Sequence, residues 1–95
     1  MAQATLTEKE IDALIAAHIE PHGDPRKRDR GEYWLKESGV PVWAIIGHLP
    51  AADGDLDVVA SDYGVPREVV EAAIAYYERN RALVDARLMM NRSFD

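Results

Sequence analysis

Apolar residues in the first part of the chain recur at helical spacing. Five positions form one stripe at i, i+3, i+4, i+7 and i+8, and they are Ile11, Leu14, Ile15, His18 and Ile19. Thr7 with Glu10 three residues later forms a capping box, which marks a helix start, and Pro21 ends the pattern. The pattern therefore predicts an N-terminal helix over residues 8–20.

The next stretch, "PHGDPRKRDRGE" over residues 21–32, has no apolar periodicity and predicts an exposed basic loop. The segment "YWLKESGVPVW" then places β-prone residues on both sides of a turn at Ser38 and Gly39. This arrangement is typical of a short strand or a hairpin, which would be marginal in water on its own.

Three further helices follow from apolar spacing and from prolines and glycines. Pro41 suits the first turn of a short core helix, whose apolar face is Val42, Ile45, Ile46 and Leu49 before Pro50. A helix over about Leu56–Tyr63 is closed by Gly64, and another begins near Pro66.

The stretch "LDVVASDYGVPREVVEAAIA" has the spacing of a helix-turn-helix. Ala60 and Gly64 stand where such a motif needs a small residue at the helix crossing and a residue tolerant of positive φ in the turn. The positions predicted to pack the two helices together are Val59, Tyr63, Val65, Val70 and Ala73. Those predicted to be exposed on the second helix are Arg67, Glu68, Glu71, Ala72 and Ala75.

If the C-terminal helix runs unbroken from Pro66 to Met90, its far end must extend past its own core or bend back on it. Polar "ERNR" at residues 78–81 interrupts its apolar pattern. We expect a mainly α fold: a small helix-turn-helix-like domain with an N-terminal helix, a short β-strand or hairpin and a long C-terminal helix. All 95 residues form a single domain, with its core over residues 33–77 and a C-terminal helix extension and tail over residues 78–95.

Charge changes the interpretation of the helix-turn-helix. The net charge is −6, and residues 31–65 carry one basic and six acidic residues. A nucleic-acid-binding protein needs a basic face, and this middle segment cannot supply one. If DNA is bound, the residues predicted to bind it are Arg26, Lys27, Arg28, Arg30 and Arg67. The alternative is that the basic run is simply solvated.

Catalytic and metal chemistry find little support in the sequence. There is no cysteine, the histidines His18, His22 and His48 are scattered, and His22 with Asp24 would bind a metal only weakly. Ser61 and Asp62 lack the flanking glycines of a nucleophile elbow. We expect no enzymatic activity, no cofactor and no metal. The chain has neither a secretory signal nor a membrane span, so we expect a cytoplasmic protein.

The segment from about Ser38 to Asn91 resembles the bacterial domain-of-unknown-function family numbered 433. The motifs that carry the resemblance are "GVPVWAII", the acidic loop, "VASDYGVPREVVEAAIAYY" and "DAR". In the N-terminal part, "RGEYWLKESGV" replaces the glycine-rich lead that is usual in the family. The resemblance implies an antitoxin similar to the VapB group, which neutralises a PIN-like nuclease toxin, and operator DNA is a second candidate ligand.

We therefore expect an antitoxin-like homodimer whose partner is a PIN-like toxin. The alternatives are a stand-alone DNA-binding transcriptional regulator and a dimeric interaction module without DNA binding. The predicted partner-binding residues lie on the last helix: Arg81, Leu83, Val84, Arg87, Leu88 and Met89. Arginines there would suit the acidic metal ligands of a nuclease site, although the same apolar stripe would also suit a homodimer core. Dimer contacts are predicted at Tyr33, Trp34 and Leu35, in a strand too short to stand alone.

Overall fold

A computed structural model of the protein describes residues 6–20 and 33–92. Within these residues the fold is mainly helical, as the sequence predicts. The elements in chain order are α1 (Glu8–His18), β1 (Ile19–Glu20), β2 (Trp34–Leu35), α2 (Val42–His48), a 3-10 turn (Pro50–Ala52), α3 (Leu56–Tyr63), α4 (Arg67–Arg79) and α5 (Arg81–Arg92). In the described part of the chain, no helix is long and apolar enough to cross a bilayer.

Helix α1 begins at the predicted capping box but ends two residues earlier than predicted. The Thr7 amide donates to Glu10 Oε1 at 2.9 Å, and the Glu10 amide donates to Thr7 Oγ1 at 3.1 Å. Ile19 is wrongly predicted as a helical position. It is extended and fully buried, and it pairs with Leu35 in an antiparallel two-stranded ladder. Pairing with a distant segment thus decides where α1 ends.

The predicted turn at Ser38 and Gly39 is present. Gly39 has a φ of 70°, and its amide donates to the Leu35 carbonyl at 2.8 Å. The chain after the turn contributes only a single bridge, between Trp34 and Pro41, so the main partner of β2 is β1. β1 and β2 therefore lie side by side, with Ile19 opposite Leu35 and Glu20 opposite Trp34.

Helices α3 and α4 form the predicted helix-turn-helix pair. Asp55 caps α3 by accepting from the Asp57 and Val58 amides at 3.0 and 3.3 Å, and Gly64 closes it with a φ of 67°. Ala60 is buried, as a close helix crossing requires. These local signals fix the bounds of α3, which match the prediction.

Helix α4 is the centre of the core. Its Val69, Val70, Ala72, Ala73 and Tyr76 are all buried. They pack with buried residues of every other helix except α1, which contributes half-buried Leu14 and Ile15. Since α4 is covered on most sides, it is the element around which the domain is assembled.

The C-terminal helix is not unbroken from Pro66 to Met90, because the chain breaks at Asn80 between α4 and α5. This residue has a φ of −137° and a ψ of 39°, and its side-chain amide donates to the Tyr76 carbonyl at 3.0 Å. An asparagine side chain that occupies a helix carbonyl competes with continuation of the helix. The break turns α5 back, so that it packs against α2.

Candidate protein-interaction surface

The exposed face of α4 is the surface with which a helix-turn-helix would read DNA. Here α1 lies antiparallel along one side of it. Arg79 Nη2 donates to Glu8 Oε2 at 2.8 Å, and at the other end His18 Nε2 lies 2.6 Å from Glu68 Oε2. Arg79 also pairs with Asp12. The outward face of α4 is consequently recessed beside α1.

Two residues predicted to be exposed on α4 illustrate this packing. Ala72 is wrongly predicted, since it is fully buried. Arg67 is exposed, but its Nη1 donates to Asp57 Oδ2 at 2.9 Å and its Nε lies 3.7 Å from Glu71 Oε2. The one basic residue predicted to contact DNA from this helix is thus engaged by two carboxylates of its own chain.

A groove of about 700 Å³ runs between α1, α3 and α4. Its apolar lining comes from all three helices and includes Ile11, Leu14, Leu56 and Ile74. The same groove is bordered by Glu8, Glu71, Glu78 and Arg79. A second, shallower depression continues along α1 and α4, where Glu10 and Glu68 are added.

Helix α5 divides into a packed face and an outer face. Val84 is 1% exposed and belongs to the core, and half-buried Leu88 packs against it. A methyl group placed on Gly47 of α2 would lie 3.0 Å from Leu88 Cδ2, so the two helices approach closely. Val84 and Leu88, both predicted to bind a partner, are therefore core residues of their own chain.

The outer face of α5 carries the remaining apolar residues of the predicted partner-binding set. Leu83 is 45% exposed and Met89 is 70% exposed, and the neighbouring Met90 is 52% exposed. Arg81 is exposed and lies over the Tyr77 ring at 5.3 Å, while Tyr77 donates to Asp85 Oδ1 at 2.9 Å. Arg87 is half-buried on the same helix.

The three residues predicted at a dimer interface have different surroundings. Leu35 is fully buried within its own chain, so no second protomer is needed to cover it. Tyr33 stacks on Tyr76 with ring centroids 4.8 Å apart, and Trp34 is half-buried. The predicted homodimer itself stays a prediction.

The basic residues Arg26, Lys27, Arg28 and Arg30 lie outside the described residues, as do His22 and Asp24.

His18 joins α1 to two other elements. Its Nδ1 lies 2.5 Å from Glu37 Oε2 in the turn after β2, and its Nε2 contacts Glu68 of α4. Only the imidazolium donates from both ring nitrogens, and hydrogen bonding to Glu68 raises the pKa of His18. Because the two nitrogens point to different carboxylates, this arrangement is a structural clamp. Among the described residues there is no group of three or more possible metal ligands.

Ala82 and Ala86 are surface residues of α5 that the sequence interpretation did not single out. Ala82, Ala86 and Met90 follow one another at i, i+4 and i+8 on α5, beside Leu83 and Met89. Val84 and Leu88 are also four residues apart, two positions away from this series, so they lie on the opposite side of the helix. The spacing therefore separates an outer stripe from a packed one. The acidic border of the groove has a similar signal, because Glu68, Glu71 and Glu78 lie on the outward side of α4.

Comparisons with known proteins add no relative: no family model matches the chain, and neither does any curated protein or solved structure. A function for this chain is therefore inferred from the geometry of the described residues.

Proposed function

We propose that this protein is an antitoxin-like binding module that holds a nuclease partner through the outer face of α5. The observation that carries the proposal is the division of this helix into two faces. Val84 and Leu88 anchor it to the core, while Leu83, Met89 and Met90 stay exposed on its other side. An apolar stripe on a firmly packed helix suits insertion into an apolar groove of another protein.

The chemistry of the stripe favours a protein partner over a small ligand. Ala82 and Ala86 have small side chains, so a partner can approach the middle of the stripe closely. The methionines on its edge adapt to the shape of a partner's surface. Arg81 and Arg87 border it with positive charge, which complements a carboxylate-rich surface. The metal-binding carboxylates of a PIN-like nuclease, which the family resemblance implies, have this character.

DNA reading by α4 receives less support. A recognition helix must project into the major groove, whereas the outward face of α4 is recessed beside α1 and bordered by Glu68, Glu71 and Glu78. Carboxylates there would be repelled by phosphates. A DNA-binding role would then fall to Arg26, Lys27, Arg28 and Arg30, and it would be an addition to partner binding.

The test is neutralisation of the PIN-like nuclease that the proposal expects beside this gene. Co-expression with the wild-type protein should restore growth, and Leu83→Glu should abolish the rescue. The matched control is Val58→Glu, because Val58 of α3 is 42% exposed against 45% for Leu83. Burying a charge at the centre of an interface weakens binding by about 2 kcal/mol or more, which is roughly thirtyfold in Kd.

Binding of the purified nuclease then separates the proposal from its alternatives. We expect Leu83→Glu and Met90→Glu to lose binding, with unfolding midpoints like that of Val58→Glu. Equal binding by all three variants, or rescue that depends on the basic loop and not on α5, would contradict the proposal.

A further inference from the structure

A second interaction surface is present on the side of the domain formed by α1, α3 and α4. We propose that the groove between these helices binds a cationic amphipathic helix of another protein. The residues that line it do not include any of α5, so this surface is separate from the one proposed for the nuclease partner. Failure of the proposal for α5 would therefore leave the proposal for this groove unaffected, and the reverse also holds.

The floor of the groove is apolar along its whole length. Leu14 of α1, Leu56 of α3 and Ile74 of α4 are half-buried, and Ile11 lies beside them, so each keeps apolar surface open to the groove. Leu6, which precedes α1, lies at the lip and is 44% exposed. Such a floor accepts side chains spaced at i, i+3 or i+4 and i+7 on one face of a helix.

The border of the groove supplies the charge selectivity. Glutamates stand along both depressions, and they are Glu8, Glu10, Glu68, Glu71 and Glu78. Arg79 is the one basic residue among the described lining residues, and Glu8 and Asp12 already pair with it. His18 pairs with Glu68, and Arg67 lies 3.7 Å from Glu71, so the border keeps a net negative charge above an apolar floor although three of its glutamates have a cationic partner. Its complement is an apolar stripe flanked by lysine or arginine.

The length of the groove indicates a helix of about three turns. Contacts between α1 and α4 extend from Glu68, beside His18, to Arg79, beside Glu8. Eleven helical steps of ~1.5 Å make this distance about 16 Å. Clamps at both ends hold α1 in place, so the walls of the groove are fixed before a ligand arrives, which lowers the entropic cost of binding.

The experiment uses the full chain and a fluorescein-labelled synthetic helix of about twelve residues, with leucines at i, i+3, i+4 and i+7 and lysines on both flanks. A second peptide keeps the leucines and replaces every lysine with glutamate. Anisotropy titrations should show binding of the lysine peptide and at least tenfold weaker binding of the glutamate peptide. Amide shifts in ¹⁵N spectra of the chain should cluster on α1, α3 and α4.

Matched charge reversals locate the site. Glu78→Lys at the border should raise the Kd of the lysine peptide by about fivefold, equivalent to ~1 kcal/mol. Glu20→Lys changes the net charge by the same amount at an exposed residue of β1 that lines neither depression, and it should leave Kd nearly unchanged. Equal effects of the two reversals, or shifts that cluster on α5, would overturn the proposal. So would sedimentation showing that Glu78→Lys converts a dimer into a monomer, because the groove would then be a contact between copies of this chain.

Discussion

The packing of α5 against the core can be tested with one substitution that shortens a buried side chain. Val84→Ala removes two carbons from a side chain that is 1% exposed. Lost burial costs about 1.6 kcal/mol at ~0.8 kcal/mol per carbon, and a cavity of roughly 50 Å³ that stays open adds up to about 1.2 kcal/mol. Alanine is a better helix former than valine by ~0.6 kcal/mol, which offsets part of this loss. We expect a net destabilisation of about 1 to 2 kcal/mol.

Val58→Ala is the control, because it makes the same chemical change in α3 at a side chain that is 42% exposed. Its burial loss of about 0.9 kcal/mol is nearly cancelled by the same gain in helix propensity. Urea unfolding followed by tryptophan fluorescence gives both free energies, and a loss of 2 kcal/mol moves the midpoint by roughly 1 to 2 M.

The sign of the change in stability distinguishes a packed α5 from an unpacked one. If α5 did not pack on α2, Val84 would be exposed, and the substitution to alanine would leave the free energy of unfolding unchanged or raise it slightly. A Val84→Ala protein at least as stable as Val58→Ala would therefore refute the packing of α5. It would also refute the division of this helix into an anchored face and an outer face.

Further predictions concern His18, Gly64, the removal of α5 and the oligomeric state. Contact with Glu68 and Glu37 raises the pKa of His18, so its contribution to stability is fully present below its ordinary pKa of 6.5 and is lost as pH rises through the raised value. His18→Gln should therefore flatten the pH dependence of urea unfolding on the alkaline side of 6.5, and an unchanged slope would count against the clamp. Gly64→Ala should cost ~1 kcal/mol in urea unfolding, because Gly64 has a φ of 67°, and no loss would contradict that turn. Truncation after Arg81 should abolish cooperative thermal unfolding by circular dichroism, since it removes buried Val84, and a folded product would contradict this. Sedimentation velocity at micromolar concentration should show the predicted dimer, and a monomer alone would refute it.

Local signals explain which parts of the fold the sequence predicts well. The bounds of α3 follow from Asp55 and Gly64, which act within one turn of the helix that they limit. The start of α1 is equally local, because Thr7 and Glu10 satisfy each other's amides. Where a boundary depends on a distant partner, the prediction is wrong: Ile19 leaves the helix because Leu35 pairs with it.

The break in the C-terminal helix has a different origin. The polar interruption at residues 78–81 is visible in the sequence, but helix propensity alone does not say whether a chain bends there. Asn80 decides the matter by donating to the Tyr76 carbonyl, and the bend allows Val84 to be buried four residues later. The sequence pattern assigns Val84 and Leu83 together to a partner because both belong to the apolar stripe that resumes after residue 81, and the pattern does not separate a packed face from an outer one.

The helix-turn-helix pattern illustrates why a correct motif does not determine a function. Ala60 and Gly64 specify how α3 and α4 cross, but they do not determine which element lies against the outer side of α4. That side is decided by α1, which is held by Arg79 at one end and by His18 at the other. Once α1 is in place, the helix that would enter a DNA groove instead forms the floor of a groove, bordered by glutamates that repel phosphate. In the function that we propose, the same backbone motif receives a protein ligand, because α1 lies along one side of α4 and leaves a groove there in place of a projecting face.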